Sequence, residues 1–146
     1  MTHKIISSVN SVVAPIALKN FTCQFHVQPR YFNFIFEGKK TVEGRVAREK
    51  YRALRPGDLI QFLTQEKFSD PTKGTIEVDR SLEARIVSLE HFPSFSEMLT
   101  FYGLKNCLPG VKSLSEGVSI YHGFPGYEAD AKKFGTIGIE IEVEPQ

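Results

Sequence analysis

Three charged residues close together in the sequence, Lys40, Glu43 and Arg45, are the best candidates for chemistry in this chain. A lysine ammonium can hold a phosphate or an oxyanion, or act as a base where burial lowers its pKa. A glutamate can take a proton or accept a hydrogen bond from an exocyclic amine, and an arginine fork matches a carboxylate or a phosphate. Glu43 and Arg45 are two residues apart on a predicted strand, which places them on one face about 6.6 Å apart. The spacing therefore predicts that they serve one bound group; an exposed ion pair is the alternative.

Charge is distributed unevenly along the chain although the formal net charge is only +1. Residues 30–55 hold eight basic and three acidic residues, a balance of +5, whereas residues 116–146 hold two basic and six acidic residues, a balance of −4. A nucleic-acid-binding domain that is basic throughout usually has a pI above about 9, and the pI here is about 7.8. Any contact with phosphates is therefore predicted to be local, around residues 30–55; a solvated basic loop is the alternative reading.

Composition predicts one globular domain that needs no cofactor. The chain has 146 residues, of which 41% are hydrophobic and 12% aromatic, enough for an ordinary core. Cys23 and Cys107 form no C-x-x-C pair and the histidines are scattered, so we expect no metal site. No apolar run approaches the ~18 residues of a membrane span, and the first residues lack a signal-like apolar core, so we expect a cytoplasmic protein that does not contact membranes.

Hydropathy patterns and turn residues predict a mixed order of strands and short helices. Period-two alternation indicates strands over 22–28, 41–46, 82–89 and 136–143, and an apolar run indicates a buried strand over 59–63. Helices are predicted over 30–37 and after two capping boxes at 94–97 and 113–116, with a loop at 68–74 and a short turn at 128–134. This order predicts an α+β fold: a small β-barrel of about five or six strands with flanking short helices, formed by residues 21–146 and preceded by an arm or extra strand at 1–20.

The most informative stretch contains Gly38, Lys40, Glu43 and Arg45, which match the pattern G-x-K-x-x-E-x-R. With this signature the chain resembles the ASCH domain family, which is related in fold to PUA domains. Residues 56–62 look like the family's G-D-x-I-x-F segment, and residues 95–99, 108–110 and 116–121 are similar to the downstream pattern of one bacterial-type subgroup. The resemblance spans about residues 25–143. It implies a PUA-like barrel with a cleft beside the signature that accepts RNA or a nucleoside.

The resemblance also supplies candidate roles for single residues. Lys40 and Glu43 are the candidate catalytic residues; the candidate ligand-binding residues are Lys39, Lys40, Thr41, Glu43, Arg45, Arg48 and Tyr121. Family members that hydrolyse N4-acetylcytidine have a threonine where this chain has Glu43, so Lys40 carries over but the nucleophile does not. Tyr121 could stack on a base or fill the core.

We therefore predict binding of RNA or a modified nucleoside through a basic cleft at the signature. The first alternative is a hydrolase of the same family type, acting on N4-acetylcytidine or as a ribonuclease, with Glu43 activating water and Lys40 stabilising an oxyanion. The second alternative is a protein-interaction module of the kind found in transcription coactivators. None of the three requires a metal or a cofactor.

Overall fold

The computed structural model describes residues 20–145, which form five strands and five α-helices around one sheet. In chain order these are β1 (Cys23–His26), α1 (Pro29–Phe36), β2 (Val42–Val46), β3 (Leu59–Asp70), β4 (Gly74–Phe92), α2 (Phe95–Tyr102), α3 (Leu104–Cys107), α4 (Leu114–His122), α5 (Tyr127–Phe134) and β5 (Thr136–Val143), with a 3-10 turn at Glu49–Tyr51. No helix within residues 20–145 is both long and apolar enough to cross a membrane.

The sheet has the strand order β1-β3-β4-β5-β2, so β1 and β2 are its two edges. β1 runs parallel to β3, and the remaining pairs are antiparallel. The α+β class and a count of five strands agree with the sequence prediction, but the sheet is not closed into a barrel. β1 is only four residues long and is soon followed by Pro29, which has no N–H to extend a ladder. Across the gap a side chain makes the connection: the Arg45 guanidinium donates to the His26 carbonyl at 2.9 Å.

Two clusters of buried side chains cover the two faces of the sheet. The first packs α1 against the sheet around Phe25, Phe32 and Ile139. The second lies under α2–α5 and includes Phe95 and Met98. Small residues on the sheet allow these helices to approach closely, because a Cβ at Gly138 would overlap the Tyr102 ring. The helices are thereby fixed over β5 and over β2, which carries the signature residues Glu43 and Arg45.

Capping residues fix the starts of two helices, as their sequences predict. The Ser94 side chain accepts a hydrogen bond from the backbone N–H of Glu97, and Ser113 does the same for Glu116. Two local predictions are wrong. The segment 128–134 is part of helix α5 rather than a short turn. The predicted loop at 68–74 is mostly strand, because β3 continues to Asp70 before a tight turn in which Asp70 accepts from the next backbone N–H groups.

The predicted arm at 1–20 lies outside the described residues except for Asn20, so it remains a prediction.

Candidate functional site

A pocket of about 270 Å³ opens where the two edges of the sheet approach each other. One wall comes from the end of β1 and the start of α1, the opposite wall from β2, and the cover from α4 and the connection that leads to α5. We call it the seam pocket. It is lined by His26, Val27, Gln28, Tyr31, Lys40, Glu43, Gly44, Arg45, Leu108, Tyr121, Phe124, Pro125 and Tyr127. Typical pockets for drug-sized ligands measure about 300–1,000 Å³, so this one suits a small guest.

Lys40 lies in the wall of the seam pocket with only 3% of its side chain exposed. Its Nζ donates to the carbonyl oxygens of Val42 at 2.7 Å and Cys107 at 2.6 Å, and it lies 3.5 Å from Glu43 Oε1. An ammonium has three N–H bonds; two of them donate to these carbonyl oxygens, and the contact with Glu43 is an ion pair that limits how far Lys40 can reach toward a phosphate or an oxyanion. Lys40 therefore ties β2 to the segment that follows α3.

Glu43 is held between two cations. Its Oε2 accepts from Arg45 Nε at 2.6 Å, and its Oε1 faces Lys40, while 7% of its side chain is exposed. The Arg45 guanidinium also lies over the Phe25 ring, 5.0 Å from its centroid. We call Lys40, Glu43 and Arg45 the motif wall. Two cations and one anion leave it with one positive charge that faces a largely apolar pocket.

The pairing in the motif wall keeps Glu43 ionised. Burial alone would raise the pKa of its carboxyl group, but the charges of Arg45 and then Lys40 outweigh burial and the pKa lies below its usual value. Burial likewise opposes the charge on Arg45, and the Glu43 carboxylate outweighs that effect, so the pKa of the guanidinium is raised. Glu43 is thus a carboxylate that accepts hydrogen bonds, and its lowered pKa makes it a weak general base.

Tyr121 lines the pocket and carries a buried hydroxyl without a hydrogen-bond partner among the described residues. Its side chain is 3% exposed. The ring is stacked on Phe95, with centroids 4.4 Å apart and planes at 1°. One ring face is therefore committed to the core, while the residue still lines the pocket. A buried hydroxyl without a partner costs about 1–3 kcal/mol, which a ligand can recover by bonding to it.

Aromatic side chains form much of the remaining lining. Tyr31 lies beneath the Lys40 ammonium, 5.7 Å from ring centroid to Nζ. Phe124 packs edge-on against Tyr127, with centroids 5.3 Å apart. Gly44 belongs to the floor, because a Cβ there would lie 2.8 Å from the Tyr121 hydroxyl. Flat rings beside a charged wall provide a setting for a planar heterocycle, which can stack and hydrogen-bond at once.

The structure brings four of the predicted site residues together in the seam pocket: Lys40, Glu43, Arg45 and Tyr121. The other three lie elsewhere. Lys39 is 64% exposed and pairs with Glu37. Thr41 is half-buried, and its backbone bonds to Asn106 and Ile141. Arg48 pairs with Asp130 at 2.8 Å, and its guanidinium lies over the ring of Tyr127. It therefore packs against a lining residue without lining the pocket itself.

Sequence reasoning missed Tyr31, Gln28 and Tyr127 as pocket residues. Tyr31 sits in the first turn of α1, where its periodicity indicated only a buried helix face. Tyr127 begins α5 directly after Pro125 and Gly126, just before the segment 128–134, for which the sequence predicted only a short turn. A concentration of tyrosines near Gly and Pro breaks is the signal that could have found them. Within residues 20–145 no group of three or more His, Cys, Asp or Glu side chains is placed to hold a metal ion.

Comparison with known proteins gives a family model and two solved structures to which this chain is similar. The family model described as ASCH domain matches residues 25–145. A crystal structure titled hypothetical protein PH0355 is 37% identical with a TM-score of 0.68, and the match covers 84% of this chain and 98% of that one. A solution NMR structure of protein PF0455 from Pyrococcus furiosus is 36% identical with a TM-score of 0.62, covering 84% and 97%. No curated protein matches. With the family model covering most of its length and its signature residues gathered in one pocket, the chain belongs to the ASCH domain family.

Proposed function

We propose that this protein binds RNA or a modified nucleoside, with one base seated in the seam pocket. The observation that carries the proposal is Tyr121, a residue that borders the same pocket as the charged motif wall and whose buried hydroxyl has no hydrogen-bond partner among the described residues. A base offers donors and acceptors on its edge and flat faces for stacking, which complements this lining.

The polar groups around the pocket favour a base that carries a carbonyl beside an amine. Arg45 makes two hydrogen bonds, to Glu43 and His26, and a guanidinium has five N–H bonds, so it can donate to a carbonyl of the guest. Glu43 has lone pairs that can accept from an amine. Tyr121 can act either way. Cytosine and guanine both present a carbonyl and an amine on one edge, which makes them the expected guests.

Binding is better supported than hydrolysis by the state of the two candidate catalytic residues. Lys40 is buried, with two hydrogen bonds to backbone carbonyls and an ion pair to Glu43, and Glu43 is a paired carboxylate of lowered pKa. A general base works best with a pKa near the working pH, and an oxyanion needs donors that are free to reach it. Hydrolysis of N4-acetylcytidine would require both residues to leave their partners, whereas binding uses the wall as it stands.

The replacement Tyr121→Phe tests the proposal directly. It removes the hydroxyl and keeps the ring that stacks on Phe95, so we expect weaker RNA binding by about two- to tenfold, equivalent to one neutral hydrogen bond. Anisotropy of a labelled single-stranded RNA octamer of random sequence, competed with cytidine or guanosine, measures the affinity. The melting temperature should not fall, since the wild-type hydroxyl has no partner to lose within residues 20–145.

Tyr102→Phe is the matched control. The Tyr102 hydroxyl donates to the Gly138 carbonyl at 3.3 Å, and Tyr102 is not a lining residue of the seam pocket. This variant should therefore bind RNA as the wild type does. Equal affinity of wild type and Tyr121→Phe for RNA and for nucleosides would refute the proposed site. Mass analysis of the same mixtures with N4-acetylcytidine addresses the alternative, because turnover that Glu43→Gln abolishes would assign a hydrolase instead.

The proposal extends to the setting of the domain. Cys23 and Cys107 are both free thiols, which supports a reducing, cytoplasmic compartment. We also propose that residues 21–146 work as a single domain.

A further inference from the structure

A second hollow, next to the seam pocket, has a very different lining. It measures about 660 Å³ and is bordered by Lys39, Lys105 and Lys112 together with uncharged residues. All three lysines are exposed, and no acidic residue contributes to the lining. We call it the lysine hollow. Two acidic residues lie beside these lysines: Glu37 pairs with Lys39, and Glu116 accepts the Lys112 backbone N–H. Three lysines against two glutamates leave a charge balance of +1.

The two hollows are lined by consecutive residues at two points along the chain. Lys40 lines the seam pocket and Lys39 the lysine hollow; Leu108 lines the seam pocket and Pro109 the lysine hollow. Consecutive Cα atoms are 3.8 Å apart, so the two linings adjoin at both points. The hydrogen bond from Lys40 Nζ to the Cys107 carbonyl fixes these two stretches against each other.

A fourth cation and two glycines occupy the border. A terminal nitrogen of Arg30 lies 3.9 Å from the position of a Cβ on Gly110, and Arg30 directly precedes the pocket residue Tyr31. Gly38 and Gly110 both line the hollow with φ near +77° and +89°, and neither presents a side chain. A charged backbone can therefore approach the protein main chain closely there.

We propose that the lysine hollow holds the phosphates of a single-stranded RNA whose base occupies the seam pocket, so that the ligand is an oligonucleotide rather than a free nucleoside. This inference rests on the proposed function of the pocket. The charge of the hollow complements phosphate, its lysines have their ammonium groups exposed, and flexible lysines hold phosphates without reading sequence.

The variant Lys39→Ala/Lys105→Ala/Lys112→Ala tests this inference, with Lys67→Ala/Lys73→Ala/Lys133→Ala as a control that removes the same charge from exposed positions outside both hollows. Each phosphate contact with a single strand contributes about 0.7 to the slope of log affinity against log salt. We expect the first variant to lower that slope for the RNA octamer by about 2. Between 50 and 200 mM salt, the wild type should then lose about 20-fold more affinity than the variant does.

Competition by cytidine and guanosine separates the possible results. The inference predicts that the triple variant binds nucleosides as the wild type does and that bound octamer protects Lys39, Lys105 and Lys112 from acetylation. If the triple lysine variant leaves the salt slope of octamer binding unchanged while Tyr121→Phe still weakens binding, the role of the lysine hollow is overturned and the proposed function stays intact. If octamer binding changes in the triple lysine variant but not in Tyr121→Phe, the role of the seam pocket is overturned instead.

Discussion

Lys39 and Lys40 are neighbours in sequence and belong to opposite kinds of surface. Lys40 is buried in the motif wall, where two carbonyl oxygens and Glu43 fix its ammonium. Lys39 is 64% exposed in the lysine hollow, with a loose 3.5 Å contact to Glu37. The difference teaches that a signature lysine can serve the architecture of a site while its neighbour supplies the accessible charge. Only a side chain that keeps its charge accessible can exchange water for a ligand at low cost.

The largest effect should come from replacing each lysine with methionine. Lys40→Met leaves the Val42 and Cys107 carbonyls and one side of Glu43 without their cation in a buried setting, so we expect a loss of about 3–5 kcal/mol in the free energy of unfolding. Lys39→Met changes an exposed residue and should stay within about 0.5 kcal/mol. Urea denaturation of both variants measures the difference. Equal losses would erase the distinction between the two surfaces.

An acid titration of stability should sharpen the comparison with a smaller effect. The pKa of Glu43 is lowered in the folded protein, chiefly because Arg45 and Lys40 outweigh burial. A depressed carboxyl pKa adds stability that is present above the usual value near 4.5 and is lost as the pH falls through the folded value. The free energy of unfolding, measured by urea denaturation from pH 6 down to pH 3, should therefore decline by up to about 1.4 kcal/mol per pH unit for this one proton.

Glu43→Gln should flatten that decline, since its side chain does not titrate. Glu37→Gln is the control from the lysine hollow's edge, where the Glu37–Lys39 contact is about half exposed, and it should follow the wild-type profile. A profile that steepens in Glu43→Gln would contradict the assignment of a stabilising carboxylate.

The signature predicted which residues form the motif wall, but not which hydrogen bonds and ion pairs those residues make. Spacing placed Glu43 and Arg45 on one strand face, and both do line the pocket. One of the two hydrogen bonds that hold Lys40 goes to the carbonyl of Cys107, 67 residues away, which no local pattern reveals. Tyr121 was predicted either to stack on a base or to fill the core; its ring packs on Phe95 while its hydroxyl remains without a partner within the described chain.

The extent of the sheet shows a second limit of sequence patterns. Strands β3 and β4 run as a two-stranded ribbon from Thr64 and Arg80 to the turn after Asp70. Most residues of this ribbon are exposed or half-exposed on both faces, so no apolar alternation marks them and the turn residues suggested a loop. Closure of a barrel is likewise beyond periodicity, because it depends on whether β1 and β2 meet, and here a single arginine bridges them.

Thiol labelling should give the smallest effect and reports on the wall itself. Cys107 is fully buried, and burial raises the pKa of its thiol to about 11, so at pH 8 it is both inaccessible and protonated. Cys23 is partly exposed and should react first with iodoacetamide in the native protein. Because Lys40 holds the Cys107 carbonyl, Lys40→Met should speed labelling of Cys107, as followed by mass spectrometry, whereas Lys39→Met should not. Faster labelling in both variants, or labelling in Lys40→Met that is no faster than the global unfolding measured in urea accounts for, would mean that Cys107 reports on the stability of the whole domain and not on its contact with Lys40.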